Sequence, residues 1–466
     1  MARKPIMIMG CTSDAGKSFL VAALCRHFAN RGVRVAPFKA QNMSNNAAVT
    51  PDGLEMGRAQ YLQAIAARAI PDVRMNPVLL KPTSDMSSQV IVAGKVDSQI
   101  SAMPWMDRKD RLWPVVCESL RGLMAEYERI IIEGAGSPAE VNLRRGDIVN
   151  MSVALECAAD VYLVADIDRG GAFAHLLGTW MCLGPDERRL IRGFVLNKFR
   201  GDPKLLGNAM DWLHERTGVP TVAIVPMIRH RLPEEDTLHH RGERSAGKIN
   251  IALIAYPYAS NLDEFDPLIH EQGVAVVPLR ERCALTDFHA VILPGSKNTA
   301  QSLRYLRQTG LAEEVMLAAA KGVQIFGACG GMQLLGRRIA DPLRIESGDE
   351  VGLGLLDIST TLAAQKVTRQ KEVLSIEGDL LRGYEIHQGQ TVAGPSAQAH
   401  LQDGMGWHKG NITGVYLHGL FENTAYRQRF LTRLGWAGHA EDWHAQLDRE
   451  LDRVAEVVVP TNWFST

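Results

Sequence analysis

Ile6-Met7-Ile8-Met9-Gly10-Cys11-Thr12-Ser13-Asp14-Ala15-Gly16-Lys17-Ser18 is the stretch that decides the fold. An apolar run of strand length passes into a glycine-bounded loop, and Leu20, Leu24 and Phe28 then recur every four residues, the stripe of a helix packed on a core. Strand, loop and helix N-terminus in that order direct backbone N–H groups at a phosphate. Lys17 is expected to reach the terminal phosphates and Ser18 to offer its hydroxyl to Mg2+. Five residues, rather than the usual four, separate Gly10 from Gly16. Gly10, Thr12, Gly16, Lys17 and Ser18 are the expected nucleotide contacts; a plain tight turn is the alternative.

Further short apolar runs at 33–38, 130–132, 161–164, 194–196 and 222–225 alternate with amphipathic stretches. That alternation predicts an α/β domain of P-loop NTPase type, a mostly parallel sheet covered by helices on both faces. Glu133 closes the run at 130–132 ahead of Gly134-Ala135-Gly136, at the carboxyl edge where open α/β sheets bind ligands. Its carboxylate is expected to hold Mg2+, directly or through water, opposite Ser18; an acidic cap or turn residue is the alternative. Asn197 ends another run, and its amide suits an adenine edge.

Between 229 and 248 the chain turns polar and charged and no apolar period survives, which marks a linker. A second alternating series follows at 249–255, 290–293, 323–326 and 415–417 and predicts a second α/β domain. Trp443, Leu447, Leu451, Val454 and Val458 keep helical spacing, as a terminal packing helix would. The expected division is 1–228, a linker at 229–248, a second domain at 249–440, and a C-terminal helix and tail at 441–466.

Within the second domain, Val323-Gln324-Ile325-Phe326-Gly327-Ala328-Cys329-Gly330-Gly331 reads as a buried strand, a sharp turn and a helix start. Small residues on both sides of Cys329 permit the strained turn of a nucleophile elbow, with sulfur in place of oxygen. The helix N-terminus favours thiolate over thiol. A thiolate nucleophile needs a proton partner, and His418, in Gly414-Val415-Tyr416-Leu417-His418-Gly419, stands at the end of another expected strand. Gly295, in the Leu293-Pro294-Gly295-Ser296 turn, and Gly330 are expected to donate their backbone N–H groups to an oxyanion.

Composition narrows the function. The 466 residues are 46% hydrophobic and 22% charged with a formal net charge of -1, as in an ordinary globular protein, and offer no long-range field for nucleic acid or anionic lipid. Seven cysteines without a CxxC pair argue against a disulfide framework or a zinc site and for a reducing compartment. The run at 6–9 is far shorter than a secretory or membrane segment. A cytoplasmic protein is expected, with no nucleic acid or membrane partner; a homo-oligomer stays open.

Beyond these motifs, Phe38-Lys39-Ala40-Gln41-Asn42-Met43-Ser44-Asn45-Asn46, Glu55-Met56-Gly57-Arg58-Ala59-Gln60, Asn76-Pro77-Val78-Leu79-Leu80-Lys81-Pro82, Glu133-Gly134-Ala135-Gly136-Ser137-Pro138-Ala139-Glu140, Asp166-Ile167-Asp168-Arg169-Gly170-Gly171 and Gly383-Tyr384-Glu385-Ile386-His387-Gln388-Gly389 closely resemble the cobyric acid synthase family along nearly the whole chain. The first half is also similar to dethiobiotin synthetase, which shares the longer phosphate loop, and the second to class I glutamine amidotransferases. The resemblance implies ATP- and glutamine-dependent amidation of the b, d, e and g carboxylates of adenosylcobyrinic acid a,c-diamide, giving adenosylcobyric acid. It thereby implies a corrinoid substrate, with ATP, Mg2+ and L-glutamine. Gln41, Asn42, Ser44, Asn46 and Asp168 are then the expected substrate contacts, a polar turn without ligand being the alternative for the first four. Class I amidotransferases commonly place a glutamate two residues after the catalytic histidine; here Leu420 stands there, and the resemblance implies a Cys/His pair without it, with Glu422 no substitute on proximity alone. The nearest rival is cobyrinic acid a,c-diamide synthase, against which Gln41-Asn42-Met43-Ser44 and Asp168-Arg169-Gly170-Gly171 argue. A partition-type P-loop ATPase usually carries an additional lysine early in the loop, where this chain has Cys11-Thr12, and has no reason to carry Cys329.

Overall fold

The computed structural model describes residues 3–84, 87–233, 244, 247–459 and 463. A six-stranded, wholly parallel sheet runs in the order Thr221–Pro226, Ile191–Phe199, Asp160–Asp166, Ile6–Gly10, Arg129–Glu133, Val35–Phe38. Side chains alternate across a strand, so Met7 and Met9 join the core on one face while Ile6 and Ile8 join Leu20 and Leu24 on the other. The strand order reverses beside Ile6–Gly10, and the crevice at the carboxyl ends there is the ligand position of such sheets.

The second sheet has seven strands. Val274–Leu279, Ile249–Ile254, Ala290–Leu293, Gln324–Ala328 and Ile412–Val415 are parallel, and Gly406–Lys409 and Gln398–Leu401 complete it antiparallel. The two α/β units expected from the apolar alternation are thus present. The strand expected at 415–417 ends earlier, at Val415. Beyond it His418 pairs with Tyr384 instead, its N–H donating to the Tyr384 carbonyl at 2.9 Å and its carbonyl accepting from Tyr384 N–H at 3.2 Å. Tyr384 belongs to a long hairpin, Ile358–Leu374 with Leu380–Ala393, and with Ile386 packs on Ala47, Val49, Leu79 and Ile91 of the first half.

The terminal helix, Trp443–Val458, returns to the first domain. Asp442 caps it by accepting from Ala445 N–H at 2.7 Å. Leu447, Leu451, Val454 and Val458 pack with Leu20 and Leu24, and Arg26 of the helix Lys17–Ala29 pairs with Asp448. The first residues of the expected linker lie along this helix: Arg231 N–H donates to Glu450 at 2.8 Å and Arg453 to the Arg229 carbonyl at 2.8 Å. Residues 234–243, 245 and 246 of the linker, and 460–462 and 464–466 of the tail, lie outside the described residues. Among the described residues no helix is long and apolar enough to cross a membrane.

Leu451 is fully buried between the terminal helix and the first domain. Leu451→Ala is expected to lower stability by about 2–5 kcal/mol, read from urea unfolding; an unchanged midpoint would show that the helix does not dock there.

Candidate functional site

The phosphate loop is built around Gly16, whose φ of 88° is left-handed; a Cβ there would collide with the Asn197 amide. Asn197, expected at an adenine edge, is buried and donates its amide to the Ala15 carbonyl at 2.8 Å, bracing the loop. Lys17 is buried within the loop, with Nζ 3.4 Å from the Thr12 carbonyl and 3.3 Å from that of Gly136. Gly10 closes the first strand just ahead of it.

Ser18 Oγ donates to Glu133 Oε1 at 2.8 Å. Glu133 also accepts from Lys39 Nζ at 2.7 Å and Gln63 Nε2 at 2.6 Å. Burial pushes this carboxyl up, but Lys39 and the three hydrogen bonds outweigh it and hold Glu133 below the usual carboxylate range. A hydroxyl and a carboxylate oxygen this close beside a phosphate loop fit Mg2+, which takes hard oxygen donors and usually completes its shell with phosphates and water. Among the described residues no group of three or more His, Cys, Asp or Glu gathers as a metal site in its own right. Lys39 and Gln63 received no role from sequence; for Lys39 the available signal was its place at the end of an apolar run, on the same sheet edge as Glu133.

The expected substrate contacts divide. Gln41 and Asn42 lie on a short strand, Gln41–Met43, beside Val78–Ser84, and with Ser44 and Asn46 are buried. Ser44 Oγ accepts from Asn46 N–H at 3.0 Å, while Asn46 Oδ1 accepts from the backbone N–H of Asn261, in the other half, at 2.6 Å. Asp168 follows the strand Asp160–Asp166 at the carboxyl edge, where its half-exposed side chain pairs with Arg200 at 3.1 Å.

In the second half Cys329 stands between the strand Gln324–Ala328 and the short helix Gly330–Leu335 with φ 49° and ψ -106°, a strained conformation for a residue with a side chain. The turn depends on its glycines, since a Cβ on Gly331 would strike the Leu293 carbonyl. Of the two expected oxyanion donors, Gly330 abuts Ser296 and lines the same cavity as Cys329, and Gly295 pairs with Ser260 close to the His418 ring.

His418 is buried. Its Nδ1 lies 3.2 Å from each oxygen of Glu264 and its ring stacks on Tyr384 with centroids 5.2 Å apart; Nε2 is buried without a hydrogen-bond partner among the described residues, and the Cys329 sulfur, 3.7 Å from the Ile386 carbonyl, shares the cavity that His418 lines. Burial works against the imidazolium, but Glu264 and Cys329 outweigh it and raise His418 to about 10. The expected Cys/His pair therefore has a carboxylate partner that sequence reading missed. Glu264 sits in the turn Leu262–Phe265, with no spacing to mark it. Glu422 instead faces Arg58 at 3.0 Å. A nucleophile, a base and a group orienting that base are together the requirements for acyl transfer from an amide.

Cys329 and His418 line a cavity of about 60 Å3, whose other walls include Asn45 and Lys81 of the first half and Lys297 and Lys366 of the second. This volume holds several molecules of the size of water or ammonia. Glu55 pairs with Lys81 at 2.6 Å and with Lys366, and Lys297 donates to Gln89 at 2.8 Å. Burial lowers Lys297 to about 7 and Lys366 to about 8, whereas the two lysines overcome burial at Glu55 and hold it at about 2. His387, from the Gly383–Gly389 motif, also lines the cavity and bonds Glu385 at 3.3 Å.

Residues 6–237 match the CobQ/CobB/MinD/ParA nucleotide binding domain and residues 250–426 the CobB/CobQ-like glutamine amidotransferase domain. The chain is 53% identical to a cobyric acid synthase of Deinococcus radiodurans over 97% of each chain. It is 48% identical to one of Variovorax paradoxus, covering 91% of this chain and 92% of that one. The chain belongs to the cobyric acid synthase family. Membership makes it a glutamine-hydrolysing ligase of cobalamin biosynthesis.

Glu264→Gln keeps the shape of the contact but removes the charge that raises His418. Glutamine hydrolysis is expected to fall roughly 10²–10⁴-fold. Its imidazolium limb should move to lower pH, because less charge opposes loss of the proton. Unaltered turnover and an unaltered pH profile would contradict the assignment.

Proposed function

We propose that this protein converts adenosylcobyrinic acid a,c-diamide to adenosylcobyric acid by amidating carboxylates b, d, e and g with ATP and glutamine, in the cytoplasm and without a nucleic acid partner. The observation that carries the reading is the single cavity to which Cys329, His418, Asn45 and Lys81 all contribute. The proposed division of labour assigns synthesis to 1–228, a joining stretch to 229–248, glutamine hydrolysis to 249–440, and a helix and tail to 441–466.

A carboxylate resists ammonia because it is anionic and lacks a good leaving group. Transfer of the terminal phosphoryl group of ATP makes it an acyl phosphate, and Lys17, buried in the phosphate loop, offsets charge on the group in flight. Backbone N–H groups from Gly10 to Gly16, with Thr12 among them, cradle the phosphates, and Asn197 braces the loop beneath. Ser18 and Glu133 would hold Mg2+, which supplies further neutralisation of phosphate charge when bound.

At the other centre the Cys329 sulfur attacks the side-chain amide carbon of glutamine, with the N–H groups of Gly295 and Gly330 stabilising the oxyanion. His418, oriented by Glu264, gives its proton to the departing nitrogen. Ammonia leaves, and water cleaves the glutamyl thioester to glutamate and restores the thiol. The released ammonia crosses the shared cavity and attacks the acyl phosphate, forming the amide and expelling phosphate.

Two variants separate the centres. Cys329→Ala should lose glutamine-driven amidation by more than about a thousandfold while retaining amidation from added ammonium salts. Lys17→Ala should lose amidation from either nitrogen source. Mass spectrometry of the corrinoid, counting carboxylates turned to amides, reads both; an unmodified corrinoid with the unaltered protein, glutamine and ATP would refute the reading.

A further inference from the structure

The turn that carries Glu264 is held from the other half of the molecule. Arg58 opens the helix Arg58–Ala66 of the phosphate-loop half, yet its Nε lies 2.5 Å from Asp263 Oδ2 and its Nη2 3.0 Å from Glu422 Oε1. Asp263 immediately precedes Glu264; Glu422 follows His418 by four residues in the turn Leu420–Glu422. One planar guanidinium thus grips both segments that bring the imidazole and its carboxylate together. A rigid fork of donors can do this, whereas a single ammonium gives a point contact. Burial opposes this charge, but the two carboxylates keep Arg58 firmly cationic.

A second set of bonds fixes the start of the same turn. Asn261 is left-handed, with φ 54°, and its backbone N–H donates to Asn46. Its side-chain oxygen accepts from Ala47 N–H at 2.9 Å and its amide donates to the Tyr384 hydroxyl at 3.2 Å. Tyr384 in turn donates to the Ala47 carbonyl at 3.1 Å and stacks on His418. Asn261 to Phe265 is therefore suspended between Asn46 and Ala47 at one end and Arg58 in the middle. Neighbouring side chains of the turn have opposite duties, Asp263 toward Arg58 and Glu264 toward His418.

We propose that Arg58 is a positioning residue for glutamine hydrolysis: from the synthesis half it sets the turn that aims Glu264 at His418, so that the hydrolytic centre is complete only with the two halves docked. This deepens the proposed function and rests on it. The groups facing His418 are Glu264, Cys329 and Tyr384, with Arg58, Asp263 and Glu422 behind them; loosening the turn weakens the one contact that most favours the imidazolium.

The test uses full-length Arg58→Gln, Arg58→Lys and Asp263→Asn, the last lying outside the synthesis half. With glutamine, kcat should fall roughly 10- to 100-fold in Arg58→Gln and Asp263→Asn, with KM for glutamine nearly unchanged and the imidazolium limb shifted to lower pH. Arg58→Lys should recover part of the rate, the double variant should be no worse than the poorer single one, and ammonium-driven amidation should stay at its original rate. Unchanged glutamine kcat and pH profile in both variants would overturn the proposal, as would equal loss of the ammonium-driven rate in Asp263→Asn, which would mark a merely structural contact. Failure of the unaltered protein to hydrolyse glutamine would refute the underlying function instead.

Discussion

A buried imidazole keeps its charge only where the fold brings a carboxylate to it, and for His418 that carboxylate is Glu264. Glu264 meets Nδ1 at 3.2 Å through both oxygens, while Nε2 is buried without a hydrogen-bond partner among the described residues, beside the cavity that Cys329 also lines. Without the carboxylate, burial alone would favour neutral imidazole; with it, the ring keeps its proton. The Tyr384 ring, stacked on the imidazole, fixes one face of it.

The contact also explains why the two halves are built as one body. Both sites lie beyond the carboxyl ends of parallel strands, and the segments leaving those ends meet: Asn46 with Asn261, Arg58 with Asp263 and Glu422, Glu55 with Lys366. These partners are buried charges and amides, which are costly unless every one is satisfied, so the interface specifies one docking geometry. The apolar contribution comes from Tyr384 and Ile386 against Ala47, Val49, Leu79 and Ile91, and from the terminal helix against Leu20 and Leu24.

How far the sequence alone could reach follows from the same geometry. The phosphate loop, Glu133, Cys329 and the parallel sheets were legible because each is local: an apolar run, a turn of small residues and a helix start are neighbours in the chain. Glu264 was not, since 154 residues separate it from His418 and its turn carries no periodicity. The position that usually supplies such a glutamate is Leu420, which is buried in the core. Asn46 was expected to meet substrate, but a polar cluster after a strand reads alike whether it faces a ligand or a neighbouring domain, and its bond to Asn261 in the other half was not legible. Arg58, which the sequence marks only as part of a motif, is buried between two carboxylates for the same reason.

At the centre of this account, nitrogen freed at the Cys329 sulfur travels inside the protein to the activated acid. The most direct measurement supplies glutamine carrying a heavy-nitrogen amide together with excess unlabelled ammonium, ATP and the corrinoid acid, at a pH where free ammonia is scarce, and weighs the product. The new amides should carry the label essentially undiluted. Dilution of the label toward the proportion of ammonium in bulk solution would contradict it.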